Sequence, residues 1–509
     1  MKLEEVLQQK FGYASFRPGQ QEIIADLLAG HHVVAMLPTG GGKSICYQLP
    51  GMLLDGAVLI VSPLLSLMED QVNQLRLFGE KRVIAFNSFR TIEEKQEALQ
   101  NIKKYKFIFA SPEMLQARSF LQALQQVPLA LFVVDEAHCI SQWGYDFRPD
   151  YQRLQEVIAM LRRPPVLAIT ATATGQVLRD IVGSLGLGEV QMHLRSVDRP
   201  NIALQLDMAG SIEEKKEKLR AYAKRLAGPG IIYCSSRSWA ETIAEELRHA
   251  GISRAAHYHG GMAQEDRMLI QQQFMKGQLD VISCTSAFGM GINKADVRYV
   301  IHFHYPANLE AYLQEIGRAG RDGLDSLAVL LLCPFDHELP AGMIAEELPS
   351  EAHISYFLSL LQERLFRQSA LPVRDVEQIG RNVAGLSEQH WRFLLYHLER
   401  MGVVQQGNLL LGVVTGETGR RLALEAAKRL ADKQEKLQRM RWWLQRTDCR
   451  REGILQYFDS EAAGEPVYCC DLCGIDVTHY ENKREEAGAA PADWVEELRS
   501  LLGLAHQDE

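Results

Sequence analysis

Residues 31–44, HHVVAMLPTGGGKS, lead from a short apolar run into a glycine-rich turn that ends in Lys43 and Ser44. Such a turn between a strand and a helix presents backbone N–H groups and a helix N-terminus to phosphate. Lys43 can then reach the β- and γ-phosphates of a nucleotide, and Ser44 can hold Mg²⁺. Leu37 stands where the general phosphate-binding pattern has glycine, so an ordinary glycine-rich turn is the alternative. The predicted nucleotide-binding residues of this turn are Thr39, Gly40, Gly41, Gly42, Lys43 and Ser44.

Apolar segments alternate with helical stretches in two parts of the chain, about 20–195 and about 205–337. Segments such as AVLIVS, PVLAIT, GIIYCSS and LAVLLL are rich in Val, Ile and Leu and end at turn signals, as buried parallel strands do. The stretch SVDRPNI, residues 196–202, lies between the two parts and is interpreted as a linker. The sequence therefore predicts an α/β protein with two similar parallel-sheet lobes and a cleft between them.

A second motif, LFVVDEAHC at 131–139, ends an apolar run in two adjacent carboxylates, Asp135 and Glu136. Asp135 can hold Mg²⁺ through water and Glu136 can polarise the attacking water, as phosphoryl transfer to water requires. A solvated acidic turn is the alternative, and the apolar residues directly before the carboxylates disfavour it. Together with the glycine-rich turn, this pair predicts ATP hydrolysis.

The stretch FGYASFRPGQ offers groups that can recognise an adenine ring. Tyr13 can stack on the ring, and Arg17 and Gln20 can pair with its edge. From chemistry alone this interpretation is weak, because residues of these types often occur together by chance.

The stretch QEIGRAGRDG, in the second part of the chain, contains Arg318 and Arg321 three positions apart. An ATPase whose site lies between two lobes needs a cation delivered from the second lobe to the γ-phosphate. These arginines are candidates for that role, and a basic helix face is the alternative.

The pattern changes after about residue 340. DVEQIGRNVAG and SEQHWRFLLYHLERMG are predicted helices, and VVQQGNLLLGVV is predicted to be a hairpin with a Gly-Asn turn. This order is a winged-helix outline, for which a small packing domain is an equal alternative. A long helix is predicted at about 417–446.

Four of the nine cysteines cluster near the end of the chain, at Cys449, Cys469, Cys470 and Cys473. Four thiolates can close a tetrahedral Zn²⁺ shell, with the last two as a C-x-x-C knuckle. Chance clustering is the alternative, since the side chains of neighbouring residues tend to point apart. The other five are predicted to be core thiols, namely Cys46, Cys139, Cys234, Cys284 and Cys333.

Length and composition set the broad class. The 509 residues predict three or four domains, and 47% hydrophobic with 23% charged residues is typical of a globular protein. No signal peptide or membrane span is indicated, which predicts a reducing cytoplasm where clustered cysteines bind metal. A net charge of −9 requires any nucleic-acid surface to be local. Residues 425–452 hold nine Lys or Arg against five acids, so duplex contacts are predicted there.

Taken together, these stretches resemble the RecQ family of superfamily 2 DNA helicases. The resemblance covers about 5–335 and the cysteine region, and it is carried by FGYASFRPGQ, MLPTGGGKSICYQLP, DEAHCISQWGYDFRPDY, AITATAT, DRPNI and YLQEIGRAGRDG. It implies RecA-like lobes and ATP-dependent 3′–5′ unwinding of DNA in recombination or repair. The alternative is a DNA-stimulated ATPase that remodels or anneals DNA with little unwinding. An RNA helicase is less favoured, because the tract after DEAH is similar to the DNA family.

The resemblance also implies roles for single residues. Tyr13, Arg17 and Gln20 match its adenine-reading motif, and the aromatic-rich stretch CISQWGYDFRP matches a loop that couples single-strand binding to hydrolysis. Packing of these aromatics in the core between the lobes is the alternative. The residues implied to hydrolyse ATP are Lys43, Ser44, Asp135, Glu136, Arg318 and Arg321. The residues implied to bind DNA or couple it to hydrolysis are His138, Trp143, Phe147, Arg148, Arg199 and Asn201.

The stretch CRREGILQYF followed by CCDLC resembles the zinc module of this family. Some members have a spaced cysteine run, which would put a ligand at Val467, and others have an adjacent pair, in which case Cys469 serves. The implied cofactors are ATP, Mg²⁺ and a structural Zn²⁺. The implied partners are single-stranded and tailed or forked duplex DNA and unidentified repair or replication proteins, with no membrane. The implied location is the cytoplasm, associated with the nucleoid if the source is bacterial.

The domain layout departs from the typical family pattern. The predicted domains are 1–200 (first lobe), 201–340 (second lobe), 341–416 (winged-helix-like insertion), 417–480 (zinc module) and 481–509 (acidic tail). The long interval between Gly323 and Cys449 marks the third of these as an insertion. The short stretch after Cys473 predicts a short form without the C-terminal winged helix and HRDC domain of many relatives. His304 stands where the family usually has Asp.

Overall fold

The structure is a computed structural model that describes residues 2–63, 65–86, 91–141, 149–289, 294–363 and 369–482. The first lobe is a parallel β-sheet with helices. Its elements are α1 (Leu3–Phe11), α2 (Gln20–Leu28), β1 (His32–Met36), α3 (Ile45–Leu53), β2 (Ala57–Val61), α4 (Leu65–Leu77), β3 (Val83–Phe86), α5 (Ile92–Gln100), β4 (Phe107–Ala110), α6 (Arg118–Leu124), β5 (Leu129–Asp135), α7 (Leu154–Met160), β6 (Val166–Thr170), α8 (Gly175–Leu185) and β7 (Val190–Leu194). The strand order is β3-β4-β2-β5-β6-β1-β7, with parallel neighbours. The carboxyl ends of β1 and β5 therefore bring the glycine-rich turn and the adjacent carboxylates to one edge of the sheet.

The second lobe is a six-stranded parallel sheet of the same kind. Its elements are β8 (Ile202–Met208), α9 (Ile212–Arg225), β9 (Gly230–Tyr233), α10 (Arg237–His249), β10 (Ala255–Tyr258), α11 (Gln264–Met275), β11 (Val281–Cys284), β12 (Tyr299–His302), α12 (Leu309–Ile316) and β13 (Ser326–Leu332). The strand order is β10-β11-β9-β12-β13-β8. All residues of β13 are buried, as expected for a strand covered on both faces.

The C-terminal part is mainly helical. Its elements are α13 (Glu338–Glu347), α14 (Glu351–Gln362), β14 (Ala370–Pro372), α15 (Val373–Asn382), α16 (Glu388–Arg400), β15 (Val404–Gln405), β16 (Asn408–Leu410), α17 (Gly416–Leu444) and α18 (Arg450–Tyr457). The strands form a small antiparallel sheet in the order β14-β16-β15. The predicted acidic tail lies outside the described residues from position 483 onward.

The hairpin of this small sheet turns one residue earlier than its sequence suggested. Gln405 pairs with Asn408, so the two-residue turn is Gln406–Gly407, and the predicted Gly-Asn turn is wrong. Both turn residues have positive φ, +51° and +77°, as a tight hairpin turn of the primed type requires. The Gly-Asn pair was favoured by residue type, but the register of the flanking strands places Asn408 in β16.

Helix α17 belongs to two hydrophobic cores. Leu422 and Ala426, in its first half, pack in a cluster formed by residues 348–426, which is separate from the core of the lobes. Leu437 and Trp443, in its second half, pack in the core that contains both lobe sheets and α18. The helix therefore connects the unit around the small sheet to the lobes. Among the described residues, no helix is both long enough and apolar enough to cross a membrane.

Two adjacent tryptophans of α17 give a direct test of this packing. Trp443 is fully buried, its Nε1–H donates to the Arg450 carbonyl at 2.9 Å, and its ring lies 4.9 Å from that of Tyr312. We expect Trp443→Ala to lower the free energy of unfolding by about 3–5 kcal/mol, because it leaves a cavity between α12 and α17. Urea unfolding followed by far-ultraviolet circular dichroism measures this change.

The neighbouring Trp442 is the matched control, since its side chain is 58% exposed and its ring carries only the Arg446 guanidinium, 4.8 Å from the ring centroid. Trp442→Ala should change the free energy of unfolding by less than about 1 kcal/mol. Equal losses in the two variants would contradict the described packing of α17.

Candidate functional site

The glycine-rich turn joins the end of β1 to the start of α3. Gly40 and Gly42 have φ angles of +81° and +73°, a left-handed conformation that glycine adopts without steric cost. Lys43 Nζ lies 3.5 Å from Oε1 of Glu136, and Ser44 directly precedes α3. The turn thus holds a cation between a helix N-terminus and a carboxylate of the second motif.

The two carboxylates lie at the end of β5 and are buried, Asp135 being 6% and Glu136 8% exposed. The Glu136 N–H donates to Oδ1 of Asp135 at 2.9 Å, and Glu136 has a φ of +48°, which is strained for this residue type. Burial and the neighbouring Glu136 raise the pKa of Asp135. Burial acts to raise the pKa of Glu136 as well, but Lys43 and His138 outweigh it and lower that pKa. Glu136 is therefore held as an ionised acceptor.

His138 is buried and connects Glu136 to the AITATAT segment at the end of β6. The Thr170 hydroxyl donates to the Thr172 carbonyl at 3.2 Å, so the hydroxyl oxygen accepts from Nδ1–H of His138, 2.8 Å away. The same Nδ1 lies 3.4 Å from Oε2 of Glu136. This position suits coupling within the lobe, and it offers DNA no exposed surface of His138.

The predicted adenine-reading residues lie at the mouth of the same site. Oε1 of Gln20 accepts from the Arg17 N–H at 2.8 Å, and Nε2 donates to the carbonyls of Gly41 and Gly42 at 3.1 and 2.9 Å. A Cβ on Gly42 would lie 2.4 Å from Gln20 Nε2, so only glycine permits this approach. Tyr13 is exposed, with its ring open to a stacking partner. Gln20 thus braces the phosphate turn and keeps one lone pair on Oε1 for an amino group.

The second lobe brings two arginines to this site. Arg318 is 4% exposed and its Nη1–H donates to the Gly289 carbonyl. The side chain of Arg321 lies against the glycine-rich turn, where a Cβ on Gly40 would be 3.2 Å from its Cγ. Burial, with the repulsion of Arg318, lowers the pKa of Arg321 to about 9, so its guanidinium remains a cation at neutral pH. The buried cation of Arg318 and the half-buried cation of Arg321 therefore face the first lobe beside Glu136.

A single cleft between the lobes collects nearly all the residues predicted to handle ATP. Those that line it are Tyr13, Arg17, Gln20, Thr39, Gly40, Gly42, Lys43, Ser44, Asp135, Glu136, Arg318 and Arg321. Gly41 is not among these lining residues, and its carbonyl accepts a hydrogen bond from Nε2 of Gln20. The cations of both lobes converge where the phosphates of a nucleotide would lie. This arrangement can bind a nucleoside triphosphate, neutralise its γ-phosphate and orient water through Glu136.

Two residues predicted to bind DNA or couple it to hydrolysis, Arg199 and Asn201, lie at the junction of the lobes. Nη1 of Arg199 donates to the carbonyls of Thr39 and Gly317, and its Nη2 and Nε donate to three further oxygens. Asn201 Nδ2 donates to the carbonyls of Gly320 and Leu324, both at 2.9 Å. A phosphate contact by Arg199 would require several of these bonds to break, so this arrangement favours the coupling part of its predicted role over direct binding of DNA.

Two charged residues that the motifs did not single out complete this junction. Nη1 of Arg451, on α18, donates to Oδ1 of Asp198 at 2.6 Å, with both side chains nearly inaccessible to water. In the sequence, Asp198 is an acid within DRPNI and Arg451 a base within CRREGI. Neither stretch indicates that these two side chains form an ion pair. The remaining residues predicted to couple DNA binding, Trp143, Phe147 and Arg148, lie outside the described residues.

The four clustered cysteines form a compact group. Their sulfurs all lie within 4.8 Å of one another, and the pairs Cys449–Cys469 and Cys470–Cys473 are each 3.5 Å apart. Sulfurs about 2.3 Å from one tetrahedral Zn²⁺ are about 3.8 Å apart, so the group fits a zinc ion with four protein ligands. The Leu204 N–H donates to the Cys469 carbonyl at 3.1 Å, which attaches the cysteine loop to β8. The metal site is therefore part of the second lobe's edge.

The positive charge of the zinc-side helices, where duplex contacts are predicted along 425–452, is largely paired within the protein. Lys433, Lys436, Arg446, Arg450 and Arg451 pair with Glu347, Glu310, Asp448, Asp471 and Asp198, respectively. Arg439 pairs with Glu435 on the surface, and Arg441 donates to the His337 carbonyl. The composition of this segment shows how many cations it has but not their partners, most of which lie in other elements of the structure.

One other group of metal-type side chains occurs in the described part of the chain, at Glu241, His257 and His259. The Gly261 N–H donates to Nδ1 of His259 at 3.2 Å, so the neutral ring carries its proton on Nε2, which donates to Glu241 at 2.7 Å. Both ring nitrogens of His259 are therefore already used, and we assign no metal to this group.

Comparison with known proteins agrees with the geometry. Residues 17–181 match the DEAD/DEAH box helicase family, 214–323 the helicase conserved C-terminal domain, and 416–474 the RecQ zinc-binding family. The probable ATP-dependent DNA helicase RecS of Bacillus subtilis (strain 168) is 46% identical over 506 residues, which cover 99% of this chain and 98% of RecS. The ATP-dependent DNA helicase RecQ of Haemophilus influenzae is 44% identical over 338 residues, which cover 65% of this chain and 53% of RecQ.

Solved structures share the fold at low sequence identity. The DUF1998 helicase MrfA bound to DNA and AMPPNP has a TM-score of 0.57 and 18% identity, covering 67% of this chain and 52% of MrfA. Dbp5 of S. cerevisiae bound to RNA and ADP BeF3 has a TM-score of 0.53 and 17% identity, covering 67% of this chain and 90% of Dbp5. Two RecA-like lobes around one ATP cleft thus define the class, a helicase-type ATPase.

The similarity to RecS along nearly the whole chain, together with the RecQ zinc-binding match, decides the family. The chain belongs to the RecQ family of helicases. It spans nearly all of RecS but only about half of the Haemophilus influenzae RecQ. The predicted family, the α/β fold with two RecA-like lobes, and the zinc cofactor are confirmed.

Replacing one cysteine of the cluster tests the metal assignment. Cys470→Ser should strongly reduce the zinc content, because it removes a buried thiolate from a closed shell and leaves three ligands. Loss of zinc should also lower the thermal midpoint and the DNA affinity, since the shell is part of the folded module. A colorimetric chelator assay on the denatured protein measures the metal.

Cys333→Ala provides the control, as Cys333 is buried at the end of β13 outside the cluster. This variant should keep one zinc ion per chain. If Cys470→Ser retained full zinc content and full DNA affinity, the four-cysteine assignment would be wrong.

Proposed function

We propose that this chain is an ATP-dependent DNA helicase that moves 3′ to 5′ on single-stranded DNA and unwinds tailed or forked duplexes in recombination or repair. The observation that carries the proposal is the cleft in which Lys43 and Glu136 of one lobe meet Arg318 and Arg321 of the other. A site divided in this way couples hydrolysis to relative motion of the lobes. Membership of the RecQ family supports DNA as the substrate.

The residues of the cleft have distinct proposed roles in hydrolysis. Lys43 and the two second-lobe arginines neutralise charge that develops on the γ-phosphate oxygens. Glu136 accepts a hydrogen bond from the attacking water and is held ionised by Lys43, 3.5 Å away. Mg²⁺, held by Ser44 and Asp135, would neutralise charge shared by the β- and γ-phosphates. His138 contacts Glu136 and is hydrogen-bonded to Thr170, so it holds the Glu136 side chain beside the end of β6.

The winged-helix-like insertion predicted at 341–416, with its helices and small sheet between residues 351 and 410, is the proposed element that separates the DNA strands. Its helix α16 contacts the first lobe through Glu399, which pairs with Arg153. Arg153 ends the short 3₁₀ turn Pro149–Arg153, directly after the aromatic-rich stretch that is expected to bind single-stranded DNA. The tip of the hairpin, residues 405–408, is exposed. The unit is thus anchored beside the predicted DNA path and presents a free turn to solvent.

A DNA-stimulated ATPase that remodels or anneals DNA, with little unwinding, is the second candidate function. The observation that favours it is the internal pairing of most cations on the zinc-side helices. Charges held this way contribute little to duplex backbone binding, which unwinding at a fork requires. For either function, we propose repair or replication proteins as partners, without identifying individual ones.

The assay that separates these functions uses 3′-tailed, 5′-tailed, forked and blunt duplexes with Mg²⁺ and ATP. We expect unwinding of 3′-tailed and forked duplexes only, and stronger stimulation of ATP hydrolysis by single-stranded DNA than by RNA. Lys43→Ala should bind DNA but lose hydrolysis by about 10²–10³-fold, and it should not unwind. Hydrolysis that depends on single-stranded DNA, without separation of a 3′-tailed duplex, would favour the remodelling function.

A charge exchange tests the role of the unit around the small sheet. Glu399→Arg replaces the ion pair with Arg153 by two like charges. Losing this ion pair costs up to about 1 kcal/mol, so unwinding should slow about fivefold. ATP hydrolysis stimulated by single-stranded DNA should stay within about twofold. The double variant Arg153→Glu/Glu399→Arg should recover unwinding.

Glu388→Arg is the matched control on the same helix, because Glu388 is exposed and its ion pair is with Arg392 of α16 itself. It should leave both rates unchanged. Unwinding that is equally fast in Glu399→Arg and in the control would show that this contact does not position a strand-separating element.

A further inference from the structure

The linker between the lobes is held by the zinc-side helix α18. Besides its bond to Asp198, Arg451 donates from Nη1 to the Arg199 carbonyl at 3.0 Å and from Nη2 to the Ile202 carbonyl. Oδ2 of Asp198 accepts from the Ala463 N–H at 3.0 Å. One buried ion pair and three backbone groups thus fix the course of the linker against the zinc module.

The side chain of Arg199 continues from this fixed backbone into the ATP site. A guanidinium has five N–H donors, and here each has an acceptor within the protein. The acceptors are Asn201 Oδ1 (3.3 Å) and the carbonyls of Thr39 (2.7 Å), Gly317 (3.2 Å), Ala319 (3.0 Å) and Gly320 (2.6 Å). Thr39 belongs to the glycine-rich turn of the first lobe, and the other three carbonyls belong to the turn that carries the two arginines.

The two turns are very close at this point. A Cβ on Gly317 would lie 2.0 Å from Thr39 Oγ1, so no other residue fits there without moving the turns apart. Arg199 bridges them from the side with a planar fork that only arginine provides. The separation between the phosphate turn and the cations Arg318 and Arg321 is therefore set by the donors of Arg199.

The zinc module holds the same turn from a second direction. Oε1 of Glu310, in α12, accepts from Lys436 Nζ of α17 at 2.7 Å and from the Tyr457 hydroxyl of α18 at 2.9 Å. Helix α12 leads directly into the arginine-bearing turn. Helices α17 and α18 of the zinc module therefore hold both the linker and α12, the two segments that lead to the ATP site.

We propose that Arg199 is a positioning residue for ATP hydrolysis, and that the zinc-binding module keeps it in place through Arg451. This inference rests on the ATP hydrolysis in the proposed function. In it, the zinc module acts on the distance between the γ-phosphate and the second-lobe arginines, without touching the nucleotide. It specifies the coupling part of the role that the family resemblance implied for Arg199.

The test compares Arg199→Ala and Arg199→Lys with the unchanged protein. A misplacement of about 1 Å at a catalytic group costs about 10²-fold in rate, so the kcat of DNA-stimulated ATP hydrolysis should fall by about that factor in both variants. The KM for ATP, the Kd for a fluorescent ADP analogue and the Kd for single-stranded DNA should each change less than about threefold. Lysine should not rescue, because one ammonium cannot reach four carbonyls and an amide oxygen.

A loss of DNA affinity in step with kcat, or full activity of Arg199→Lys, would overturn the proposal. Zinc content and thermal midpoint show whether the variants fold. If they do not, Arg451→Lys decides, since it retains Arg199 itself and changes only the side chain that holds the Arg199 backbone. With one zinc per chain retained, it should lower kcat about tenfold, the effect of about 1.4 kcal/mol. An unchanged kcat in this variant contradicts the role of the module.

Arg420→Ala is the control arginine on α17, with a side chain that is 80% exposed. It should leave kcat unchanged, and a fall there would mean that the effect of Arg451→Lys is not specific. Absence of hydrolysis in the unchanged protein with single-stranded DNA would count against the proposed function itself. The two failures are therefore distinguishable in one set of measurements.

Discussion

The hydrogen bonds of one guanidinium, that of Arg199, hold together the parts on which the ATP site depends. A desolvated cation is costly unless its donors are satisfied, and one of the five acceptors, the Thr39 carbonyl, is in reach only while the phosphate turn lies beside the arginine-bearing turn. Burial lowers the pKa of Arg199 to about 10, which still leaves it charged at neutral pH. The closed arrangement of the lobes is therefore stabilised by the need to satisfy this charge, in addition to apolar packing.

The same junction explains why a structural metal accompanies a helicase-type ATPase. The cysteine cluster lies away from the cleft, but it closes the loop that attaches to β8 and the helices that hold Arg199 and α12. Three cations of these helices form ion pairs outside the C-terminal helices: Lys436 with Glu310 of the second lobe, Arg451 with Asp198 of the linker, and Arg450 with Asp471 of the zinc loop. In the proposed mechanism the zinc module therefore stabilises the catalytic interface between the lobes, and several of its cations serve that purpose.

Residues whose chemistry restricts their type were predictable from the sequence. The phosphate turn, the adjacent carboxylates, the second-lobe arginines and the four cysteines each combine a residue type with a spacing, and the structure brings the members of each set together. Features that depend on distant partners were not. The five acceptors of Arg199 and the carboxylates that pair with Lys436 and Arg450 come from other parts of the chain. The hairpin turn was displaced by one residue, because strand register, which residue types do not reveal, decided it.

In the proposed mechanism the zinc-side helix and the linker act on ATP hydrolysis as one unit. A double-mutant cycle on the kcat of DNA-stimulated hydrolysis, with Arg199→Ala, Arg451→Met and the double variant, tests this coupling. We expect strong non-additivity, with the double variant close to Arg199→Ala alone and a coupling free energy of about 0.5–3 kcal/mol. Additive effects of the two substitutions, with zinc retained in all three proteins, would contradict it.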